Sequence, residues 1–274
     1  MEIKKVTYDE LKAMGAVTGL FRMTEEDYRS FPALNQSSLK LLLSKTPAHF
    51  KEAYGKPSKD TPALRFGRDV HMLYGEPDLF YESYVREPGI EGSRSSKKYK
   101  DALNAFLDEH PGKEIMKAED WDKAHALVGR LNSEAHTALI TNALESELCC
   151  FWFCPERCLQ FKSRLDSLNP RYVVDLKTTL SAEPKDFKYS VKKYDYDFQA
   201  AFYLWGLSMV DPTSIHGFRF IAVEKEPPYE CAVYECSKDT VNRGWNKVEK
   251  ALDIYMECAK NDQWPGYGTE IRLV

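Results

Sequence analysis

No run of apolar residues in this 274-residue chain approaches the ~18–20 that a membrane-crossing helix needs. The opening MEIKKVTYDE carries no apolar core of the kind a secretory signal requires. Both absences point to a cytoplasmic protein. No internal repeat and no low-complexity tract is present. The 7 cysteines are odd in number, which suits free thiols in a reducing compartment better than a disulfide framework. Positive charge is not in excess either: 38 basic residues face 42 acidic ones, a net charge of −4. A nucleic-acid binder is more often basic overall, so such a role has to rest on local clusters. Two exist, Arg94, Lys97, Lys98 and Lys100, and then Lys185, Lys188, Lys192 and Lys193. A solvated helix face accounts equally well for either cluster taken alone.

What is present suits an ordinary soluble globular protein, with 43% hydrophobic and 29% charged residues. This length makes one large domain or two small ones and buries a large core without disulfides. No boundary shows in the pattern. The expectation is a single domain over 1–274, with a helical part over about 20–143 and a core over about 145–260.

In the first third, Ser37 or Ser38 is placed to cap a short helix carrying Leu39, Leu42 and Leu43. Thr46-Pro47 and Thr61-Pro62 each read as an N-cap followed by proline at the first helical position, the second opening a helix through Phe66, Val70, Leu73 and Tyr74. Residues 86–98, rich in Gly, Ser and charge, read as a mobile loop. Helices are expected over about 95–109 and 117–143, the second with Trp121, Ala124, Leu127, Val128 and Leu131 at helical spacing. The pattern then turns to strands at 147–153, 158–166 and 171–177, with Pro155 and Asn169-Pro170 marking the turns. A helix near 195–210, strands near 216–224 and 229–236 and a helix near 238–260 follow, with Trp264 in the tail. This order predicts an α/β or α+β domain around one central mixed sheet.

Strand alternation puts Gln160, Lys162, Arg164 and Asp166 on one face and Leu159, Phe161 and Leu165 on the other. In the next strand Asp175 and Lys177 share a face. A turn centred on Pro170 sets residue 166 across from 174, one position from Asp175. Two carboxylates held side by side repel each other unless a cation lies between them. Mg²⁺ suits that position, being hard, bound by oxygen, and often held by one or two carboxylates plus substrate phosphate. Lys177 beside it can orient or deprotonate a water. The plainer account is a surface hairpin whose charges pair, Lys162 with Asp175 or Arg164 with Asp166. Context weighs against it. Glu147 opens the preceding strand, Gln199 and Tyr203 share a helix face at i and i+4, and Gly67 and His71 do the same on the earlier helix, where the glycine permits close approach.

The run from Glu147 through K-x-R-x-D, V-V-D-L-K-T-T and Q-A-A-F-Y to Tyr203 resembles the PD-(D/E)xK nuclease superfamily. Within it the chain is similar to the RecE-type exonuclease domain, exonuclease VIII. LNQSSLKLLLSKTPAHF, LRFGRDVH, YDYDFQAAFY and the tail NDQWPGYGTEIRL carry the likeness over roughly 20–270. One departure is F-G-R-D-V-H, with Arg68 and Asp69 where small residues are usual.

The resemblance implies a restriction-endonuclease-like core with a helical N-terminal part. It implies metal association for His71, Asp166, Asp175 and the Leu176 carbonyl, and a catalytic lysine at Lys177. Glu147, Gln199 and Tyr203 would support the site, and Ser37, Lys162 and Arg164 would meet DNA. It further implies one or two Mg²⁺ ions (Mn²⁺ substituting) and digestion of linear duplex DNA from the 5′ end. The 3′ overhang would pass to a RecT-like annealing protein, and the enzyme, a stand-alone nuclease domain of phage or prophage type, would form a ring, a tetramer being favoured. Three alternatives stay open, the first a related nuclease of different polarity. Cys149, Cys150, Cys154 and Cys158 cluster as if for an iron–sulfur centre, though their spacing is unlike C-x₂-C motifs. A catalytically silent DNA-binding protein on the same fold would have a broken D…D-x-K, and here it is intact.

Overall fold

The computed structural model describes residues 3–56, 61–93, 95–134, 145–213 and 216–268. Arg94 and residues 135–143 of an expected helix lie outside them.

The chain opens with strand β1 (Lys4–Lys5), helix α1 (Tyr8–Ala13) and strand β2 (Gly19–Arg22). Helices α2 (Glu25–Ser30), α3 (Gln36–Ser44), α4 (Pro47–Ala53), α5 (Pro62–Gly75) and α6 (Pro77–Ser83) follow. Strand β3 (Tyr84–Arg86), α7 (Lys97–Glu109), β4 (Glu114–Met116) and α8 (Ala118–Ser133) complete the helical part. The first third is therefore not wholly helical, as its pattern suggested: β1 and β2 join the main sheet. Then come β5 (Glu145–Cys154), β6 (Leu159–Leu168) and β7 (Tyr172–Thr179), and after them α9 (Pro184–Lys193) and α10 (Tyr196–Val210). Strands β8 (Gly217–Glu224) and β9 (Cys231–Glu235) and helix α11 (Lys238–Asn261) close the order.

Local chemistry sets the helix starts. Thr61 accepts the Leu64 N–H and Pro62 occupies the first turn of α5. At α3 the cap is Asn35, not Ser37 or Ser38: Asn35 Oδ1 accepts the Ser38 N–H at 2.9 Å. Ser38 reciprocates from the third helical position. Thr46 precedes Pro47 as expected but makes no cap bond; its hydroxyl meets His49 Nδ1 at 2.7 Å.

Seven strands form one mixed sheet in the order β1-β2-β5-β6-β7-β8-β9. β7 and β8 run parallel, as do β1 and β2, and the other neighbours are antiparallel. The main core lies on one face, where Phe198 and Phe202 of α10 and Val248 and Leu252 of α11 meet Trp152, Phe161 and Phe220. On the other face Val70 and Leu73 of α5 and Leu127 of α8 cover Val174, Leu176 and Ile221. Leu11 and Phe31 cover Cys149 and Phe151 farther along that face. Full burial of each large side chain contributes about 1.5–3 kcal/mol, so the aromatic packing around Trp152 fixes α10 firmly on the sheet.

Two irregularities position the site. The β6–β7 turn is a two-residue loop, because Asn169 Oδ1 accepts the N–H groups of both Arg171 and Tyr172, at 3.0 and 2.8 Å. The register is therefore Ser167↔Val174, one residue from that of a turn centred on Pro170, and Asp166 stands next in line with Asp175. Pairing between β6 and β7 also stops there, and Leu34 covers the free edge of β6 at Phe161. The second irregularity lies between β5 and β6. Their ladder skips Glu147 and Asp166, and Glu147 adopts φ 50°, a left-handed conformation that a residue bearing a Cβ rarely takes without a reason. Leu165 and Leu168 both enter the main core, three residues apart where strict alternation spaces them by two.

Candidate active site

The interrupted ladder and the split between β6 and β7 open onto the same place. Asp166 Oδ2 accepts the Leu176 N–H at 2.9 Å, taking the position a strand partner would occupy. It also stands 3.2 Å from Nδ1 of His71, which α5 brings over the sheet. His71, Glu147 and Asp166 each offer a ligand atom, all within 4.8 Å of one another. The Glu147 carboxylate is held by Arg164 Nε at 2.7 Å, and Arg164 also reaches Glu76 at 3.6 Å.

Asp175 is 1% exposed. One of its oxygens meets the Lys177 ammonium, and the other accepts from Gln199 Nε2 of α10. Lys177 lies over the Tyr196 ring, 4.9 Å from its centroid. The Tyr203 hydroxyl, one turn beyond Gln199, hydrogen-bonds to it inside the core. α10 thus supports Asp175 through Gln199, while α5 delivers His71 from the other face.

The electrostatics are those of crowded carboxylates. Burial, then the charge of Asp166, pushes Asp175 up to about 6 against the pull of Lys177. The same two causes push Glu147 up to about 7 against Arg164. Burial acts on Asp166 too, but the His71 charge and hydrogen bond, Lys177 and the Leu176 N–H hold it below its ordinary value. Burial disfavours the His71 imidazolium, yet the Asp166 carboxylate outweighs it and raises the ring to about 9. Lys177 is likewise held above the ordinary lysine value, the pull of Asp175 and Asp166 overcoming its burial.

One ring nitrogen and two carboxylates within this span fit a divalent cation with oxygen and nitrogen ligands. A cation there would relieve the repulsion that raises Asp175 and Glu147. The three donors come from α5, β5 and β6, and Asp175 adjoins them from β7.

The site floors a cleft of about 1120 Å³. Its walls are of mixed charge: Lys40, Arg29 and Lys225 stand among Glu25, Glu26 and Glu76, and Arg29 is paired with Glu25. Lys40 carries no signal in the sequence as a cleft residue. Burial, then the charge of Lys177, pushes it down to about 8. Gly67 also lines the cleft, but a Cβ there would meet only Thr178 Oγ1 at 3.5 Å, so the packing does not require glycine. Asp69 is buried and hydrogen-bonds to Tyr84, which accommodates the unusual residue before His71.

One expectation needs correction, and two of the alternatives do not hold. Lys162 does not face the cleft as a DNA contact: it is 3% exposed and its ammonium donates to the carbonyls of Tyr28, Arg29 and Phe31. It holds the end of α2, because the face it shares with Phe151 is covered by the N-terminal helices. Arg164 reaches the cleft but is paired to Glu147 and Glu76, and neither hairpin pairing with Asp175 or Asp166 forms. The cysteines do not gather around a cluster. Cys149 and Cys150 are buried on opposite faces of β5, Cys154 lies on the Cys150 side, and Cys158 is exposed. Ser37 is exposed, and its neighbours Gln36 and Lys40 line the cleft in its place.

Residues 36–274 match the family model of a PDDEXK-like domain of unknown function (DUF3799). No curated protein sequence matches the chain. Among solved structures, a provisionally assigned exonuclease from Eubacterium rectale is similar, with 16% identity over 88% of this chain and 88% of that one and a TM-score of 0.63. That likeness extends to the fold. An alkaline exonuclease from Laribacter hongkongensis aligns with 12% identity over 87% of this chain and 97% of that one, at a TM-score of 0.32, too low to support an argument.

Proposed function

The chain belongs to the PDDEXK-like family, and from that premise we propose that it is a divalent-metal-dependent exonuclease acting on the ends of duplex DNA. The observation that carries this reading is the convergence of His71, Glu147 and Asp166 beside the Asp175–Lys177 pair on the floor of an open cleft. Acids at the floor suit a metal, and Lys40 and Lys225, among walls of mixed charge, offer contacts for a phosphate.

His71, Glu147 and Asp166, with Asp175 and the Leu176 carbonyl beside them, would hold Mg²⁺, with Mn²⁺ able to substitute and room for a second ion. Such an ion supplies a water of lowered pKa and stabilises charge on the phosphate and the leaving oxygen. In the metal-free protein two carboxylates hold Lys177 above the ordinary lysine value. Beside the ion it would orient the attacking water and balance phosphate charge. Gln199 fixes the Asp175 carboxylate through one oxygen and leaves the other to Lys177. Arg164 keeps Glu147 turned toward Asp166.

The finer features follow from the resemblance to RecE-type enzymes. These are digestion from the 5′ end, transfer of the 3′ overhang to a RecT-like annealing protein in recombination, a ring of four subunits, Ser37 near the DNA end, and a phage-type cytoplasmic setting. Among the described residues no helix is long and apolar enough to cross a membrane.

Incubation of linear and covalently closed circular duplex with Mg²⁺ tests the reading. Loss of the linear form alone, prevented by EDTA, is the expected result. Equal attack on circles would exclude an exonuclease, and binding without any cutting would leave a silent DNA-binding protein on this fold. Substrates blocked at one 5′ or one 3′ end then read the polarity.

A further inference from the structure

Helix α9 carries the second of the two basic clusters in this acidic chain. Lys185, Lys188, Lys192 and Lys193 are all exposed, with Asp186 the one acid inside the helix. None of the four lysines has an ion-pair partner among the described residues. They fall on one broad stripe, opposite Phe187, which is buried against Phe220 and Tyr234. A charged stripe alone is often only a solvated face.

Here the stripe carries aromatic rings as well. Tyr189 is 65% exposed and Tyr194 is 50% exposed, and the Lys193 ammonium lies 5.9 and 5.3 Å from their centroids. Leu180, in the turn before α9, is 86% exposed. Leu180, Ser190 and Tyr194 line the mouth of the cleft that holds His71 and Lys177. The Tyr194 carbonyl accepts from Lys40 at 3.2 Å, which ties the end of α9 to the cleft wall. Single exposed apolar residues need no explanation. Leu180 and Tyr194 at the cleft and Tyr189 farther along α9, beside lysines without ion-pair partners, form the pairing of ring faces and cations that grips unpaired nucleic acid.

We propose that α9 and Leu180 form a grip for an unpaired DNA strand at the cleft mouth, with the lysines on phosphates and Tyr189 and Tyr194 stacked on bases. A duplex keeps its base faces hidden in the stack, so exposed rings have a use only where the strands have separated. The inference rests on the reading of the chain as a DNA exonuclease and locates where one of its strands runs.

Fluorescence anisotropy in EDTA, which prevents turnover, compares a labelled single strand with a blunt duplex. Tyr189→Ala/Tyr194→Ala is expected to weaken single-strand binding by about 10- to 100-fold and blunt-duplex binding by no more than about twofold. Tyr189→Phe/Tyr194→Phe keeps the rings and restores the affinity. Lys188→Ala/Lys192→Ala lowers the slope of log K against log salt for the single strand by about 1.4. Thermal melts establish that each variant is folded. Single-strand affinity unchanged in the alanine pair overturns the proposal, and equal weakening of both forms makes α9 a duplex contact instead. If linear DNA is never cut yet the tyrosine dependence holds, the nuclease reading fails and the grip stands. If DNA is cut and the tyrosines are immaterial, the grip alone fails.

Discussion

Asp175 and Asp197 are both buried carboxylates, 1% and 0% exposed, and the protein treats them in opposite ways. Asp197, in the first turn of α10, meets Arg243 at 2.7 Å and Lys247 at 2.9 Å, both from α11. Gly244 presses so close that a Cβ there would lie 1.9 Å from the Asp197 carbonyl oxygen. Two cations on one acid, at a tight helix crossing, form a structural joint. Asp175 shares one ammonium with a neighbourhood that also holds Asp166, and that repulsion helps raise its pKa. A buried charge without adequate partners costs several kcal/mol, and a fold selected for stability alone has no reason to keep it. If the proposed cation binds there, the contrast marks β7 as a place where stability is given up for the ability to hold it.

The contrast can be broken by substitution. Lys177→Ala and Asp175→Asn are each expected to lower DNA cleavage by at least about 10³-fold. Asp175→Asn should leave the metal-free protein at least as stable as wild type, since it removes a charge its surroundings disfavour. Asp197→Asn should do the reverse. Denaturant unfolding is expected to show a loss of about 2–3 kcal/mol, below the usual figure for a broken buried pair because Arg243 and Lys247 can still reach water. The residual folded enzyme should keep its rate. A loss of stability in both aspartate variants would erase the distinction.

A smaller effect should appear against pH. Asp175, Glu147 and His71 all have folded values raised, to about 6, 7 and 9. Through these groups the native state binds more protons than the unfolded chain between about pH 4 and 8, so stability falls as pH rises through that window; above it Lys40 and Lys162, both lowered to about 8, act in the opposite sense. For His71 the contribution is complete below its ordinary value and is lost as pH passes about 9. In EDTA the melting temperature should decline by several degrees from about pH 5 to 7.5. Saturating Mg²⁺ should flatten the decline, because metal and protons compete for the same groups. A metal-free melting curve that rises with pH over that range would contradict the assignment of these groups.

Much of this was readable in the sequence. Alternation alone put Asp175 and Lys177 on one face, and helical spacing joined Gly67 to His71 and Gln199 to Tyr203. The rest depended on breaks in those periods. A pattern of period two cannot foresee that Asn169 would close a two-residue turn, or that Glu147 would enter a left-handed conformation and skip the ladder beside Asp166. The same rule misjudged Lys162, since it identifies a face and not what covers that face. Lys40 went unseen because its importance comes from α3 crossing the cleft, which no local window reports.

The central claim, that the carboxylates around Asp166 form a divalent cation site while Asp197 does not, is tested most directly by calorimetric titration with Mg²⁺ or Mn²⁺. Wild type, Asp166→Asn and Asp197→Asn would be titrated at neutral pH in two buffers of different ionisation enthalpy. Binding with proton release is expected in wild type, because His71 must give up its proton to act as a ligand. The same signal is expected in Asp197→Asn and none in Asp166→Asn. Equal binding by Asp166→Asn, or binding in wild type without proton release, would contradict it.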